Sequence, residues 1–294
     1  MTLPLPVAIP VLPSIPLPPD VQAVLDRATR LQTPCGDGSV TWHLWEPELP
    51  DQVLAPVVLL HGGSGSWSHW YRNIAALTAS GRRVYAADMP GFGDSAAPLE
   101  GGDADVLPEP LEAGLHQLLG DVSCDLVGFS FGGLTAGLLA AQFPARVARL
   151  VLVGAPGLGL STPVPLRSWR HYADPAKRDA IHRSNLAALM VHDPETITET
   201  ALRLHVVNVE RDRLRYRRLA RTDALLKALP SVRCSVQAIY GSEDALYPGR
   251  LGEVRAALAL LPGFAGMVVV PGAGHWVQFE KVGVFDGVLL GMLG

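Results

Sequence analysis

Cysteine is scarce in this sequence. Its 294 residues include three cysteines, Cys35, Cys124 and Cys234. An odd number without paired spacing argues against a disulfide framework. Cys124 and Cys234 fall at the starts of predicted strands, so we interpret them as reduced thiols in the core. Reduced thiols favour a cytoplasmic protein.

Charge is also limited. Charged residues make up 18% of the chain and the net charge is −4 at pH 7. This balance predicts neither a nucleic-acid partner nor a membrane surface. One basic run alternates with acidic residues, which predicts a solvated helix face rather than an anion site. The run comprises Arg211, Arg213, Arg215, Arg217, Arg218 and Arg221.

The usual signatures of metals and cofactors are missing. The histidines between residues 171 and 205 lack a metal-ligand spacing, so no metal is expected. The glycine-rich segment 62–65 lacks the lysine of a phosphate-binding loop, and no cofactor is expected either.

The sequence predicts neither a membrane span nor a signal peptide. The charge-free stretch 126–143 contains glycines that predict a strand, a turn and a helix instead of a membrane span. The N-terminus has prolines from Pro4 to Pro19 and no basic segment, which argues against a signal peptide. We interpret it as an extended arm on the protein surface, or on a second copy in a homodimer.

Strand-like and helix-like segments alternate along most of the chain. Strands are predicted at residues 40–45, 57–60, 83–87, 124–127, 149–153, 235–240 and 267–270. Helices are predicted at residues 20–30, 74–80, 111–120, 134–143 and 251–261. Such alternation is typical of an α/β fold with a mostly parallel central sheet flanked by helices. Ligands of these sheets bind beyond the carboxyl ends of the strands.

The alternation stops between residues 160 and 229, where we predict an inserted helical segment. Its helical patterns cover about residues 175–191, 194–209 and 212–228. The core then comprises residues 39–159 and 230–294, preceded by a proline-rich arm and short helix at 1–38. Five apolar residues of this segment recur at helical spacing and either line a pocket or pack the segment onto the core: Leu186, Leu189, Met190, Leu202 and Val206.

The run GFSFGG at residues 128–133 carries the strongest chemical signal. It lies between a predicted strand and a predicted helix, the context in which G-x-S-x-G indicates an exposed nucleophile. The sharp turn needs small neighbours and presents the Ser130 hydroxyl at the N-terminus of the helix.

Three other strand ends supply what a serine nucleophile needs. His275 follows the last predicted strand and would act as the base, while Asp244 would orient its ring. Glu243 is the alternative acid. The segment HGGSG at 61–65 predicts an oxyanion hole formed by the N–H groups of Gly63 and Phe131. His61 is expected to support this loop by hydrogen bonding.

In the order Ser, Asp, His, these motifs resemble the α/β-hydrolase family from about residue 40 to the C-terminus. Residues 88–95 (DMPGFGDS) resemble the family's loop before the nucleophile strand. The resemblance implies the α/β-hydrolase fold, a Ser130–His275–Asp244 triad and a helical cap over the site.

Several segments also resemble the meta-cleavage-product hydrolases, which cut carbon–carbon bonds: residues 70–74, 157–159, 192–199 and 274–280. Those enzymes hold a substrate carboxylate with an arginine on the second cap helix and an asparagine before the serine. Here His205 and Phe129 occupy the matching positions. A histidine does not replace a bidentate arginine.

We therefore predict a carboxylesterase that cleaves a small-molecule ester through an acyl-enzyme. A carbon–carbon hydrolase and a small-molecule binding or sensing protein with slow or no hydrolysis are the alternatives. The predicted pocket residues are Ser64, Phe129, Leu189, Met190, His205 and Trp276.

Overall fold

A computed structural model describes residues 16–47, 54–99, 102–214 and 216–294. Most of the predicted proline-rich arm, residues 1–15, and Arg215 of the basic run lie outside these ranges.

The fold is built on an eight-stranded sheet in the order β1-β2-β4-β3-β5-β6-β7-β8. Its strands are β1 (Thr29–Cys35), β2 (Gly38–Trp45), β3 (Val57–Leu60), β4 (Val84–Asp88), β5 (Cys124–Phe129), β6 (Val147–Val153), β7 (Ser235–Gly241) and β8 (Phe264–Val270). Pairs among β3 to β8 are parallel, and β2 is antiparallel to both its neighbours. The predicted α/β fold with a mostly parallel sheet is confirmed.

Helices cover both faces of this sheet. They are α1 (Pro19–Leu25), α2 (Ile74–Ala79), α3 (Pro108–Leu119), α4 (Phe131–Gln142), α5 (Pro175–Asn185), α6 (Glu199–Glu210), α7 (Ala224–Ala228), α8 (Leu251–Leu258), α9 (Val277–Glu280) and α10 (Val282–Leu293). One hydrophobic cluster joins the sheet to α3, α4 and α8, and a second joins it to α1, α2 and α10. Leu126 and Val127 of β5 belong to opposite clusters because successive strand residues face opposite sides.

The predicted N-terminal helix is too long, and a strand that was not predicted follows it. A helix was predicted over residues 20–30, whereas α1 ends at Leu25 and β1 begins at Thr29. β1 pairs with β2 from Thr29↔Leu44 to Cys35↔Gly38, so the sheet extends into the predicted arm. This edge strand is mostly exposed, polar and contains Pro34, and it therefore lacks a hydrophobic strand pattern.

Between β6 and β7 the structure describes the helices α5, α6 and α7 separated by non-helical residues, and the third predicted cap helix, over residues 212–228, is largely wrong. A π-helical turn, Leu186–Met190, continues α5, and α6 follows. Residues 211–214 and 216–218 form no helix. Their amides bond to distant groups instead, including Arg213 N–H to Gly91 O and Arg218 N–H to the Asp103 carboxylate.

The basic run is consequently not a solvated helix face. The Arg213 guanidinium donates to the carbonyl oxygens of Gly93 (3.0 Å) and Ser95 (2.5 Å), while Arg211 pairs with Asp94. These contacts tie the cap segment to the loop after β4. Tertiary hydrogen bonds here replace those of the predicted helix.

None of the helices in the described ranges combines the length and apolar character needed to cross a bilayer.

One carboxylate between α2 and α10 makes stability depend on pH. Burial raises the pKa of Asp286 to about 6, and Asn73 Nδ2 donates to its Oδ1 at 2.7 Å. A raised pKa means that the folded state binds the proton more tightly than the unfolded state. This group therefore destabilises the fold progressively as pH rises from about 4 to above 6.

Asp286→Asn is expected to raise the free energy of unfolding by about 1–2 kcal/mol at pH 7.5, a value reduced for partial solvent exposure. At pH 4 the gain should vanish, because the native carboxyl is then largely protonated. Urea unfolding at the two pH values measures this. Asp121→Asn, at a fully exposed side chain, is the control and should change stability by less than about 0.5 kcal/mol at either pH. A gain independent of pH would contradict the prediction.

Candidate active site

Ser130 stands at a sharp turn between β5 and α4. Its backbone is in a left-handed region, with φ 51° and ψ −121°, which non-glycine residues rarely adopt. The backbone around Ser130 is packed so closely that the neighbouring positions Gly128 and Gly132 have no room for a Cβ atom. A Cβ on Gly128 would lie 2.3 Å from Gly132 O, and one on Gly132 would lie 2.3 Å from His61 O. The predicted strand, turn and helix are thus present around Ser130.

His275 and Asp244 meet Ser130 at the carboxyl edge of the sheet. His275 Nε2 lies 2.8 Å from Ser130 Oγ, and His275 Nδ1 lies 3.0 Å from both Asp244 carboxylate oxygens. The carboxylate accepts the Nδ1 proton, which leaves Nε2 to accept the serine hydroxyl proton. His275 is 2% exposed and Asp244 is 1% exposed, so little water competes for these bonds.

The choice between the two candidate acids is decided by geometry. Asp244 points inward and also accepts the Leu246 N–H at 2.9 Å. Glu243 instead accepts a hydrogen bond from Ser242 in an exposed position. Only Asp244 of the two is placed to orient the imidazole.

The loop after β3 brings Gly63 next to Phe131. A Cβ on Gly63 would lie 3.6 Å from the Cβ of Phe131. In the described part of the chain, neither amide N–H is bonded to a protein acceptor. Both N–H groups therefore remain available at the turn that presents Ser130, as an oxyanion hole requires.

His61 supports the loop rather than acting as a base. Its Nε2 accepts the Met89 N–H at 3.0 Å, so its Nδ1 carries the proton and donates to Gly62 O at 2.7 Å. Burial lowers the pKa of His61, which keeps this tautomer neutral. The arrangement agrees with the supporting role expected from the sequence.

Ser64 is a second strained residue on this loop. Ser64 and Ser130 are the two non-glycine residues with positive φ in the described ranges, and Ser64 has φ 52°. The Ser64 hydroxyl donates to Asp212 at 2.5 Å. The cap segment thus contacts the candidate oxyanion loop directly.

Two adjoining cavities share Ser64, Leu189 and Met190 in their linings, and the first of them lies over Ser130. The first, of about 290 Å³, is lined by the predicted residues Ser64, Phe129, Leu189 and Met190 together with Ser130 and His275. The second, of about 360 Å³, is lined in part by His205. Burial, with a further contribution from His182, lowers the pKa of His205 to about 3, so this side chain is uncharged at neutral pH.

Trp276 is not a pocket residue, and that prediction is wrong. It is 1% exposed, stacks on Phe279 with ring centroids 4.1 Å apart, and donates from Nε1 to His69 O at 3.1 Å. The side chain packs in the core behind the site. The position of Trp276 directly after His275 in the sequence does not indicate whether its side chain points into the pocket or into the core.

Arg217 and Arg221 line the first cavity and were missed by the sequence analysis. Both belong to the basic run that predicted a solvated face. No local pattern separates them from the neighbouring arginines, because the conformation of residues 211–214 and 216–221 depends on distant partners.

The sheet order, the strand–turn–helix at Ser130 and the triad at the strand ends define the α/β-hydrolase class. The family model described as alpha/beta hydrolase fold matches residues 55–192. The chain is 30% identical over 254 residues to 2-hydroxy-6-oxo-6-phenylhexa-2,4-dienoate hydrolase of Burkholderia cepacia, covering 81% of this chain and 87% of that protein. The chain belongs to the α/β-hydrolase family, and its resemblance to meta-cleavage-product hydrolases is confirmed.

Solved structures with names of both kinds share this fold. Carboxylesterase CesB of Bacillus subtilis superposes with a TM-score of 0.72 at 20% identity, covering 93% of this chain and 95% of that one. A variant of the meta-cleavage product hydrolase CumD of Pseudomonas fluorescens IP01, solved with acetates, has a TM-score of 0.67 at 25% identity. Its coverage is 86% of this chain and 93% of CumD. The comparisons support a hydrolase and leave the substrate class open.

Proposed function

We propose that the protein is a serine hydrolase that cleaves small esters through an acyl-enzyme. The observation that carries this proposal is the hydrogen-bond chain Asp244–His275–Ser130 at the floor of a cavity. A serine hydroxyl is a weak nucleophile at neutral pH and needs an adjacent base. His275 Nε2, at hydrogen-bond distance from Oγ, meets that need.

The geometry supports a two-step reaction. Ser130 Oγ attacks the ester carbonyl carbon while its proton moves to His275 Nε2. The resulting oxyanion accepts hydrogen bonds from the Gly63 and Phe131 amides, each such donor typically contributing about 3 kcal/mol to the lowering of the barrier. His275 then protonates the departing alcohol. In the second step His275 deprotonates a water, which attacks the acyl carbon and releases the acid and Ser130.

Two side chains favour esters over dienoates. The resemblance described above places a carboxylate-binding group at His205, and burial keeps that ring uncharged at neutral pH. The residue before Ser130 is Phe129, which is fully buried and offers no side-chain hydrogen bond. These two positions therefore supply no charge-assisted grip on a carboxylate.

A carbon–carbon hydrolase is the second candidate. The Burkholderia cepacia relative is named for a dienoate substrate, and Arg217 lines the cavity over Ser130. Hydrolysis of a carbon–carbon bond would use the same histidine and serine. The substrate panel below separates the two candidates.

Intact mass after incubation with a fluorophosphonate tests the nucleophile. One adduct on the wild type and on Ser123→Ala, and none on Ser130→Ala, is the expected result. The same proteins are assayed with p-nitrophenyl esters from acetate to octanoate and with 2-hydroxy-6-oxo-6-phenylhexa-2,4-dienoate. Faster turnover of the short esters supports a carboxylesterase. Turnover of the dienoate alone favours the second candidate, and absence of an adduct contradicts a serine hydrolase.

A further inference from the structure

The carboxylate of Glu280 bridges two segments that are far apart in the chain. Its Oε2 accepts the Gly274 N–H at 2.6 Å and the His192 N–H at 3.1 Å, while its Oε1 accepts the Asp193 N–H at 2.6 Å. Gly274 belongs to the loop 271–276 that carries His275, which we call the histidine loop. Hydrogen bonds from backbone N–H groups to a carboxylate are stronger than those between neutral groups. One side chain therefore holds the histidine loop to the backbone of residues 190–193.

The same two segments also meet through their backbones. The Trp276 N–H donates to Met190 O at 2.6 Å. A Cβ on Gly274 would lie 2.5 Å from His192 N, so the close approach of the two segments requires glycine at this position. His275 therefore stands between two residues, Gly274 and Trp276, that both contact the 190–193 segment.

The 190–193 segment begins in the wall of the cavity over Ser130. Leu189 and Met190 line that cavity together with Ser130 and His275. They end the π-helical turn Leu186–Met190, a rare backbone form that is found frequently at functional sites. A substrate in this cavity would therefore lie against residues that continue directly into the segment bonded to the histidine loop.

We propose that Glu280 is a positioning residue that fixes the histidine loop, so that His275 meets Ser130 in the orientation needed for proton transfer. Asp244 orients the imidazole ring from its Nδ1 side, whereas Glu280 holds the backbone from which that ring extends. A misplacement of about 1 Å at a catalytic group can cost about 100-fold in rate. The proposal rests on the proposed serine hydrolase for the effect on rate, but not for the bridge between the two segments.

Glu280→Ala removes all of these acceptors and is expected to lower kcat for p-nitrophenyl butyrate by about 10- to 100-fold. KM should stay within about three-fold of the wild type, because the side chains that line the cavity are unchanged. Glu280→Gln keeps one acceptor oxygen and should recover part of the lost kcat. Rates are expressed per active site, counted as fluorophosphonate adducts. A kcat of Glu280→Ala equal to that of the wild type would overturn the proposal.

Glu112→Ala is the matched control for a loss of stability. Glu112 is a partly buried carboxylate on α3 that accepts a hydrogen bond from Arg146 Nε at 2.9 Å, and it does not line the cavity over Ser130. Its removal should destabilise the fold in urea and leave kcat within about two-fold of the wild type. Equal losses of kcat in Glu112→Ala and Glu280→Ala would assign the effect to stability and overturn the proposal.

A double variant tests whether Glu280 acts through His275. In His275→Ala there is no imidazole to position, and the remaining rate comes from binding and oxyanion stabilisation. Glu280→Ala added to His275→Ala should therefore lower kcat by less than about three-fold, a non-additive result. A further loss as large as the one that Glu280→Ala causes alone would mean that Glu280 acts independently of His275, which overturns the proposal.

Amide hydrogen exchange measures the bridge without turnover. The N–H groups of Gly274, His192 and Asp193 should exchange about ten-fold or more faster in Glu280→Ala than in the wild type or Glu112→Ala. This result with no fluorophosphonate adduct on the wild type would contradict the proposed reaction and still support Glu280 as the residue that fixes the histidine loop. An adduct and ester turnover with unchanged kcat in Glu280→Ala would overturn the positioning role and leave the reaction standing.

Discussion

Ser130→Ala is expected to lower kcat/KM for a short p-nitrophenyl ester by a factor on the order of 10⁶. Without Oγ no acyl-enzyme forms, and the remaining groups supply only binding and oxyanion stabilisation. The fold should persist, because the hydroxyl bonds only to His275 among the described side chains. Initial rates and thermal unfolding of the same preparations measure both effects.

Ser123→Ala is the matched control for this loss. Ser123 lies just before β5 and makes no side-chain hydrogen bond in the described ranges. Its removal should change the rate by less than about two-fold, since surface substitutions of this kind have small effects. Turnover by Ser130→Ala within about 100-fold of the wild type would contradict a serine nucleophile, given the expected size of the loss.

Asp244→Asn is expected to lower kcat by about 10⁴-fold. An amide at this position donates to His275 Nδ1, where the carboxylate accepts. The ring then carries its proton on Nε2, which can no longer accept the Ser130 proton. The Oδ1 atom still accepts the Leu246 N–H, so the effect should fall on kcat more than on stability. Single-turnover rates and urea unfolding distinguish the two.

Glu243→Gln makes the same chemical change one residue earlier. Because Glu243 is exposed and bonds to Ser242, its kcat should stay within about three-fold of the wild type, as for other surface changes. Equal losses in the two variants would contradict the assignment of Asp244 as the orienting acid.

The sheet and the triad were largely predictable from the sequence because both depend on patterns within short segments of the chain. Buried parallel strands such as β3 and β6 are short apolar runs bounded by polar or glycine-rich segments. Ser130, Asp244 and His275 each follow such a run. Since parallel strands align their carboxyl ends, residues far apart in sequence meet at one edge.

The edge strand β1 and the direction of Trp276 could not be predicted in this way. β1 is stabilised by backbone pairing with β2, which leaves no hydrophobic pattern in its own residues. Trp276 faces the core because its ring stacks on Phe279 and its Nε1–H donates to the carbonyl oxygen of His69. The His69 acceptor is distant from Trp276 in the chain, and the pairing of β1 with β2 uses backbone hydrogen bonds, so neither leaves a pattern in the local sequence.

By itself the sequence determined the α/β-hydrolase fold, the elbow at Ser130 and the order of the triad, because strand periodicity and glycine-rich turns are local properties. The tertiary structure alone decided the conformation of the cap segment that carries Arg213 and Arg217. That segment is held by groups such as the Asp103 carboxylate, 115 residues from Arg218 in the chain. Contacts at such separations leave no period in the sequence, so the placement of Arg217 and Arg221 at the first cavity emerged only from the folded protein.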